Sequence, residues 1–213
     1  RRFRIGHVAL TVECHHEAFL ARIASWLADY EISTEAPQPD GGIRAEYHPL
    51  ASGEEPPRSW AAEASFSMEN EVARYYNAGP LWIVEYHAGG LAVVDREGRS
   101  LEAWFDPETL LQSGSSYEEF MHPLLELFRQ LRLYPIHGAA VVKDGSGLLL
   151  LGASGRGKST LAAHLVDAGY RFLADDRCFL RETVDGAFEA FAFYEPFKLY
   201  ASNVSHIGAF RAA

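Results

Sequence analysis

The chain has 213 residues, of which 48% are hydrophobic and 23% are charged, and its formal net charge is −10. This composition is typical of a folded protein with a buried core and does not fit a disordered chain. The acidic balance argues against nucleic acid as a main partner, because proteins that bind it concentrate basic residues on one face. No apolar run approaches the roughly 18 residues of a membrane span, so we expect a cytoplasmic protein without a membrane partner.

The first part of the chain, residues 1–115, predicts a small α+β domain. The alternation of polar and apolar residues in RFRIGHVALTVE predicts one or two strands, and apolar spacing between His16 and Tyr30 predicts an amphipathic helix. Prolines and glycines predict a loop from Ala36 to Gly42, and two or three strands follow between Trp82 and Phe105. We expect this domain to recognise a substrate or a partner.

Residues 116–213 have the pattern of an α/β domain. The segment SYEEFMHPLLELFRQLRLY predicts a helix capped by Ser116, with Pro123 either kinking it or marking its true start. Next come the strand IHGAAVV, the apolar strand LLLL, a glycine-rich loop, a helix from Lys158 to about Ala168 and the strand YRFLAD. This order predicts a sheet that helices cover on both faces.

The glycine-rich loop GASGRGKS, Gly152 to Ser159, fits the phosphate-loop pattern G-x-x-x-x-G-K-[ST]. Its glycines let successive backbone N–H groups point inward at the start of a helix, where they bind phosphate oxygens. We expect ATP and Mg²⁺, with Lys158 at the β- and γ-phosphates and the Ser159 hydroxyl on the metal. The predicted nucleotide contacts are Gly152, Ser154, Gly155, Arg156, Gly157, Lys158, Ser159 and Thr160. Arg156 reaches either a phosphate, an acidic substrate or solvent.

Two aspartates, Asp175 and Asp176, end the strand after this helix, where side chains commonly lie beside the phosphates. Phosphoryl transfer to a hydroxyl uses one carboxylate to hold magnesium and a second group to accept the proton of the alcohol. A solvated turn is the alternative interpretation of the pair. His137, at the head of the strand before the loop, is either a structural hydrogen-bonding residue or a neighbour of the phosphates.

The segment IHGAAVVKDGSGLLLLGASGRGKSTLAAHLVDAGYRFLADDRCFL, Ile136 to Leu180, resembles the catalytic core of the HPr serine kinase/phosphorylase family. That family shares its nucleotide-binding core with ATP-dependent phosphoenolpyruvate carboxykinases. The resemblance implies an α/β P-loop kinase core of this type, preceded here by the smaller α+β domain. It also implies catalytic roles for His137 near the transferred phosphate, Asp175 as the base and Asp176 on the metal side, with Lys158 stabilising charge.

The chain lacks the downstream glycine-containing signature, similar to EIRGLGI, of the bifunctional enzymes, so neither HPr as substrate nor phosphorylase activity is implied. The resemblance is instead to HPr-kinase-like proteins with other substrates, some of them peptides. We therefore expect transfer to a hydroxyl, on serine of a protein or peptide or on a small molecule. The alternative is an ATP-sensing module without transfer. Part of the core is expected to lie outside this chain, and a homo-oligomer is left open.

Three further features of the sequence are weaker indicators of function. The cluster ECHHE, Glu13 to Glu17, has metal-binding residue types, but a solvated turn explains it better because no second pair completes a site. Cys14 and Cys178 are far apart and predict free thiols. Lys198 is interpreted as a surface lysine, with an approach to the active centre as the alternative.

Overall fold

The computed structural model describes residues 1–33, 42–51, 53–108 and 116–192, with the side chains of residues 116–120 left out. The chain is a mixed α/β protein with one large sheet and few helices. It divides into two compact units, Arg1–Leu131 and Arg132–Ala213. No helix in the described ranges is long and apolar enough to cross a membrane. The loop predicted from Ala36 to Gly42 and the side chain of Lys198 fall outside the described residues, Gly42 excepted.

The first unit contains an eight-stranded sheet with the order β1-β2-β3-β8-β7-β6-β5-β4. Strand β3 runs parallel to β2 and to β8, and all the other neighbours are antiparallel. Strands β3, β4 and β5 were not predicted from the sequence. The strands are β1 Arg2–Ile5, β2 Val8–Cys14, β3 Ile43–Pro49, β4 Ser65–Glu69, β5 Ala73–Ala78, β6 Leu81–Tyr86, β7 Leu91–Asp95 and β8 Ser100–Phe105.

Helix α1, Glu17–Trp26, is shorter than the predicted helix, and a separate 3-10 turn, Ala28–Tyr30, follows it. It begins after His16, whose Nδ1 accepts a hydrogen bond of 3.2 Å from the backbone N–H of Phe19. The Phe19 side chain is fully buried, and its ring centroid lies 4.2 Å from that of Phe105 on β8. This aromatic contact fixes α1 against the sheet.

Helix α2, Ser116–Gln130, contains Pro123 in its interior, so the proline does not mark the start of the helix. Met121, Leu124, Leu127 and Phe128 are fully buried and pack the helix against the sheet of the first unit. The predicted domain boundary near residue 115 places this helix with the second domain, whereas the compact units separate after Leu131. The boundary of the functional domain stays a prediction.

The second unit contains two three-stranded antiparallel sheets, with the orders β11-β10-β12 and β14-β13-β9. A loop joins β11 to helix α3, Lys158–Asp167, as predicted. The segment IHGAAVV, predicted as one strand, is divided at Gly138 into β9 and β10, which belong to different sheets, and β13 and β14 were not predicted. The strands are β9 Tyr134–His137, β10 Ala139–Lys143, β11 Ser146–Leu150, β12 Arg171–Ala174, β13 Arg177–Glu182 and β14 Phe188–Phe191.

Helices do not cover both faces of the β11-β10-β12 sheet in the described part of the chain, which corrects the prediction. Helix α3 packs through Ala162 onto the face that carries Ala139 and Val141. The opposite face, with Ala140 and Ala174, packs against Cys178 of β13. Leu148 and Leu151 of the LLLL segment are 41% and 63% exposed, and β11 is an edge strand among the strands that the structure describes. The apolar composition of β11 therefore does not show that it is a central strand.

We expect Phe19→Ala to lower the free energy of unfolding by about 3–5 kcal/mol, because it leaves a cavity where α1 meets the sheet. Urea denaturation followed by circular dichroism measures this change. The matched control is Phe66→Ala, since Phe66 is 61% exposed and its loss should cost well under half as much. Equal losses in the two variants would show that Phe19 does not anchor α1.

Candidate functional site

The loop between β11 and α3 has a backbone that suits glycine. Gly155 and Gly157 have φ angles of 74° and 81°, in the left-handed region that residues with a side chain rarely adopt. An added Cβ at either position would meet no other atom within 4 Å, so the backbone conformation rather than crowding selects glycine. Gly157 is the N-cap of α3, and its carbonyl accepts the N–H of Leu161 at 2.8 Å.

The start of α3 can bind an anion. The first backbone N–H groups of any α-helix have no acceptor within the helix, and they carry the positive end of its dipole. Ser159 and Thr160 lie in this first turn, as predicted, while Ser154 and Arg156 lie exposed in the loop before it. Backbone N–H groups at the start of a helix are of the kind that bind phosphate oxygens in other proteins.

Lys158 folds back over the loop. Its Nζ donates to the carbonyl oxygen of Gly152 at 2.9 Å and to that of Ala153 at 3.2 Å. The ammonium group therefore stays at the mouth of the loop, bound to neutral acceptors that an anionic ligand can replace. Beside it lies an open pocket of about 290 Å³, which is lined by Leu149, Leu150, Leu151, Arg156, Gly157, Lys158 and Leu161.

The register of β10 brings the loop and the aspartates to the same end of the sheet. β10 is antiparallel to both β11 and β12, so those two strands are parallel to each other. Ala139 pairs with Leu150 at the end of β11, and Ala140 pairs with Ala174 at the end of β12. The loop follows Leu150 and the aspartates follow Ala174, so both leave the sheet where β10 begins.

Gly138 makes this convergence possible. The sequence alone did not indicate a role for it. A Cβ at Gly138 would lie 2.8 Å from the carbonyl oxygen of Leu150 and 2.9 Å from the Leu151 side chain, closer than real Cβ contacts. Its own N–H donates to the carbonyl oxygen of Asp176 at 3.0 Å. Gly138 thus joins the base of the loop to the aspartate pair, and its only sequence signal is its place after His137.

His137 and Asp176 form a pair at this end of the unit. The Nδ1 atom of His137 lies 3.2 Å from Oδ1 of Asp176, and the two side chains are 59% and 39% exposed. They meet because β9 and β13 are antiparallel neighbours, with His137 opposite Arg177. A hydrogen bond between them requires a proton on Nδ1, which leaves Nε2 available to a ligand.

Asp175 lies in a different environment from Asp176, although the two are adjacent in sequence. Its side chain is 5% exposed, and among the described residues no other charged side chain is buried. The structure therefore separates the two predicted carboxylates into a buried one and a solvent-accessible one that contacts His137. The described residues contain no group of three or more His, Cys, Asp or Glu side chains that could hold a metal ion. Magnesium bound with a nucleotide needs only one or two protein carboxylates, because phosphates and water complete its shell.

Residues 115–208 match the family described as SynChlorMet cassette protein ScmC. Several relatives named HPr kinase/phosphorylase are also similar to this chain. The Lactobacillus acidophilus protein is 57% identical over 42 residues, 20% of this chain and 13% of the relative. The Geobacter sulfurreducens protein is 42% identical over 67 residues, 30% of this chain and 21% of the relative. The Caldanaerobacter subterraneus protein is 40% identical over 76 residues, 34% of this chain and 25% of the relative.

The chain thus spans a quarter or less of the length of these curated relatives. Within that limit, their names are those of a protein kinase family. The predicted resemblance of part of this chain to HPr kinase/phosphorylases is confirmed.

Proposed function

We propose that the protein is an ATP-dependent kinase that transfers the γ-phosphate to a hydroxyl group, on serine of a protein or peptide. The observation that carries the proposal is the convergence of the loop, the His137–Asp176 pair and Asp175 at one end of the second unit. The relatives support it, because their name describes a kinase that acts on the protein HPr. A cytoplasmic location, where ATP is abundant, is part of the proposal.

The nucleotide would lie with its phosphates over residues 155–160. The backbone N–H groups of the loop and the first turn of α3 would donate to the phosphate oxygens. Lys158 would exchange its two carbonyl acceptors for phosphate oxygens, which bind an ammonium group more strongly because they are charged. Ser159 and Asp176 would hold Mg²⁺, which neutralises phosphate charge when it is bound.

The acceptor hydroxyl would lose its proton to Asp175 as its oxygen forms a bond to the γ-phosphorus. The bond from that phosphorus to the bridging oxygen breaks, and ADP leaves with the electron pair. Asp175 suits a base because burial excludes water that would compete for the proton. His137 would hold Asp176 in one orientation through Nδ1 and present Nε2 to the transferred phosphate.

We expect Lys158→Met to weaken binding of ATP by roughly 10- to 100-fold, the usual size of a lost charge-assisted hydrogen bond. Isothermal titration calorimetry with ATP and Mg²⁺ measures this loss. Lys143→Met is the matched control, because Lys143 lies over the ring of Tyr170, 5.0 Å from its centroid, and takes no part in the loop. An unchanged affinity of Lys158→Met for ATP would show that the loop does not bind the nucleotide.

We expect Asp175→Asn to bind ATP with an affinity within about threefold of the wild type and to lose at least about 100-fold in transfer, because the amide cannot accept the proton. The assay follows label from γ-labelled ATP into cell lysate and into the products of neighbouring genes, tested both before and after small molecules are removed. The control is Asp167→Asn, an exposed carboxylate at the end of α3.

Three results would contradict parts of this assignment. Full transfer by Asp175→Asn, with loss in Asp176→Asn, would assign the base to Asp176. Label found only in small molecules would indicate a small-molecule kinase. ATP binding by the wild type without any labelled acceptor would favour a nucleotide-sensing module.

A further inference from the structure

Strand β4 forms an open edge of the eight-stranded sheet in the first unit. It pairs with β5 and has no other neighbour among the described strands. All five of its residues, Ser65–Glu69, are exposed. Phe66, Met68 and the nearby Val72 are 61%, 51% and 51% exposed. Of the features that commonly protect edge strands, SFSME has one charged residue, Glu69, and a β-bulge, but no lysine or proline.

A β-bulge places apolar side chains on both faces of this edge. Phe66 pairs with Tyr76 and Met68 pairs with Tyr75, so Ser67 is the extra residue between them. Tyr75 and Tyr76 point to opposite faces of β5, because side chains alternate along a strand. The Phe66 ring meets the Tyr76 ring edge-on at 6.0 Å, while Met68 lies on the other face.

The face that carries Met68 contains a pocket of about 280 Å³ between β4 and helix α2. Its wall includes stacked rings of Tyr75 and Trp82, whose centroids are 5.7 Å apart. The His122 ring lies edge-on to both, at 5.6 and 5.5 Å. Glu126 and Arg129 of α2 lie at the same pocket and form an ion pair of 3.5 Å. Aromatic walls with a paired charge at the rim suit an apolar side chain.

Arg129 at the pocket is paired with Glu126, and the charges that flank β4 without an ion pair among the described residues are acidic. No lysine or arginine lies between Arg58 and Arg74 in the sequence. Both of these arginines are already paired, Arg58 with Glu85 at 2.5 Å and Arg74 with Glu69 at 3.0 Å. Glu63 and Glu71, on either side of β4, are exposed. A second copy of this chain, with a net charge of −10, would bring like charges together at this edge.

We propose that β4 docks an extended basic peptide segment of a partner protein, which adds to the sheet as a ninth strand. Backbone N–H and C=O groups of the peptide pair with the open side of β4, as in other cases of strand addition. An apolar side chain of the peptide enters the pocket beside Met68 and Trp82, and its basic side chains face Glu63 and Glu71. This inference goes beyond the proposed transfer reaction and does not depend on it.

The test uses the full chain and three fluorescein-labelled seven-residue peptides. The first alternates lysine and valine, the second alternates glutamate and valine, and the third is the lysine peptide with N-methyl groups on alternate backbone nitrogens. Fluorescence anisotropy should show binding of the lysine peptide at least about tenfold tighter than of either other peptide, because charge and backbone pairing both contribute. Hydrogen exchange of the wild type should slow at residues 65–69 when the lysine peptide is bound.

Met68→Gln should weaken binding of the lysine peptide by roughly fivefold to tenfold, because it removes apolar contact at the pocket. The matched control, Val184→Gln, removes a fully exposed valine of the second unit and should change nothing. No binding of the lysine peptide, equal binding of all three peptides, or no change of exchange at β4 would overturn the proposal. A dimer in sedimentation experiments that Met68→Gln dissociates would also overturn it, in favour of a second copy as the occupant.

Discussion

Strand β10 lies between β11 and β12 and pairs antiparallel with both, and the candidate site depends on this arrangement. The two outer strands run in the same direction, so the segments that follow them emerge together. The glycine-rich loop is one of these segments and the aspartate pair is the other. Gly138, the residue before β10, has no space for a side chain beside Leu150 and Leu151. Its backbone N–H donates a hydrogen bond to the carbonyl oxygen of Asp176. The geometry of the candidate site therefore depends on the register of these three paired strands.

The charged side chains at this end of the second unit differ in burial and in their hydrogen-bond partners. Lys158 is bound to two backbone carbonyls, so its charge is positioned before any phosphate arrives. Asp176 contacts His137 at the surface, whereas Asp175 is buried. In the transfer that we propose, Lys158 would bind phosphate, Asp176 would hold the metal ion and Asp175 would accept the proton of the hydroxyl. This division of environments is why we favour a kinase over a module that only holds ATP.

Local features of the site could be predicted from the sequence, and long-range ones could not. The loop was predictable because glycines at fixed spacing encode a backbone conformation, which Gly155 and Gly157 adopt. The contact of His137 with Asp176 depends on the register of β9 with β13, and neither the sequence pattern nor the family resemblance predicted it. The apolar composition of the LLLL segment predicts cover by helices, but composition does not reveal that β11 is an edge strand among the described strands. Strand β4 was missed because its exposed residues show no buried face.

We propose that the loop, His137 and Asp176 surround one metal-nucleotide site. Paramagnetic Mn²⁺ in place of Mg²⁺ tests it most directly, because Mn²⁺ broadens nuclear magnetic resonance signals steeply with proximity. With ATP and Mn²⁺ bound, we expect broadening of the amide signals of Lys158 and Ser159 together with those of His137, Gly138 and Asp176. The amide signal of Val184, on a distant turn of the second unit, should stay sharp. Broadening confined to the loop, with sharp signals for His137 and Asp176, would show that these two residues lie outside the metal-nucleotide site.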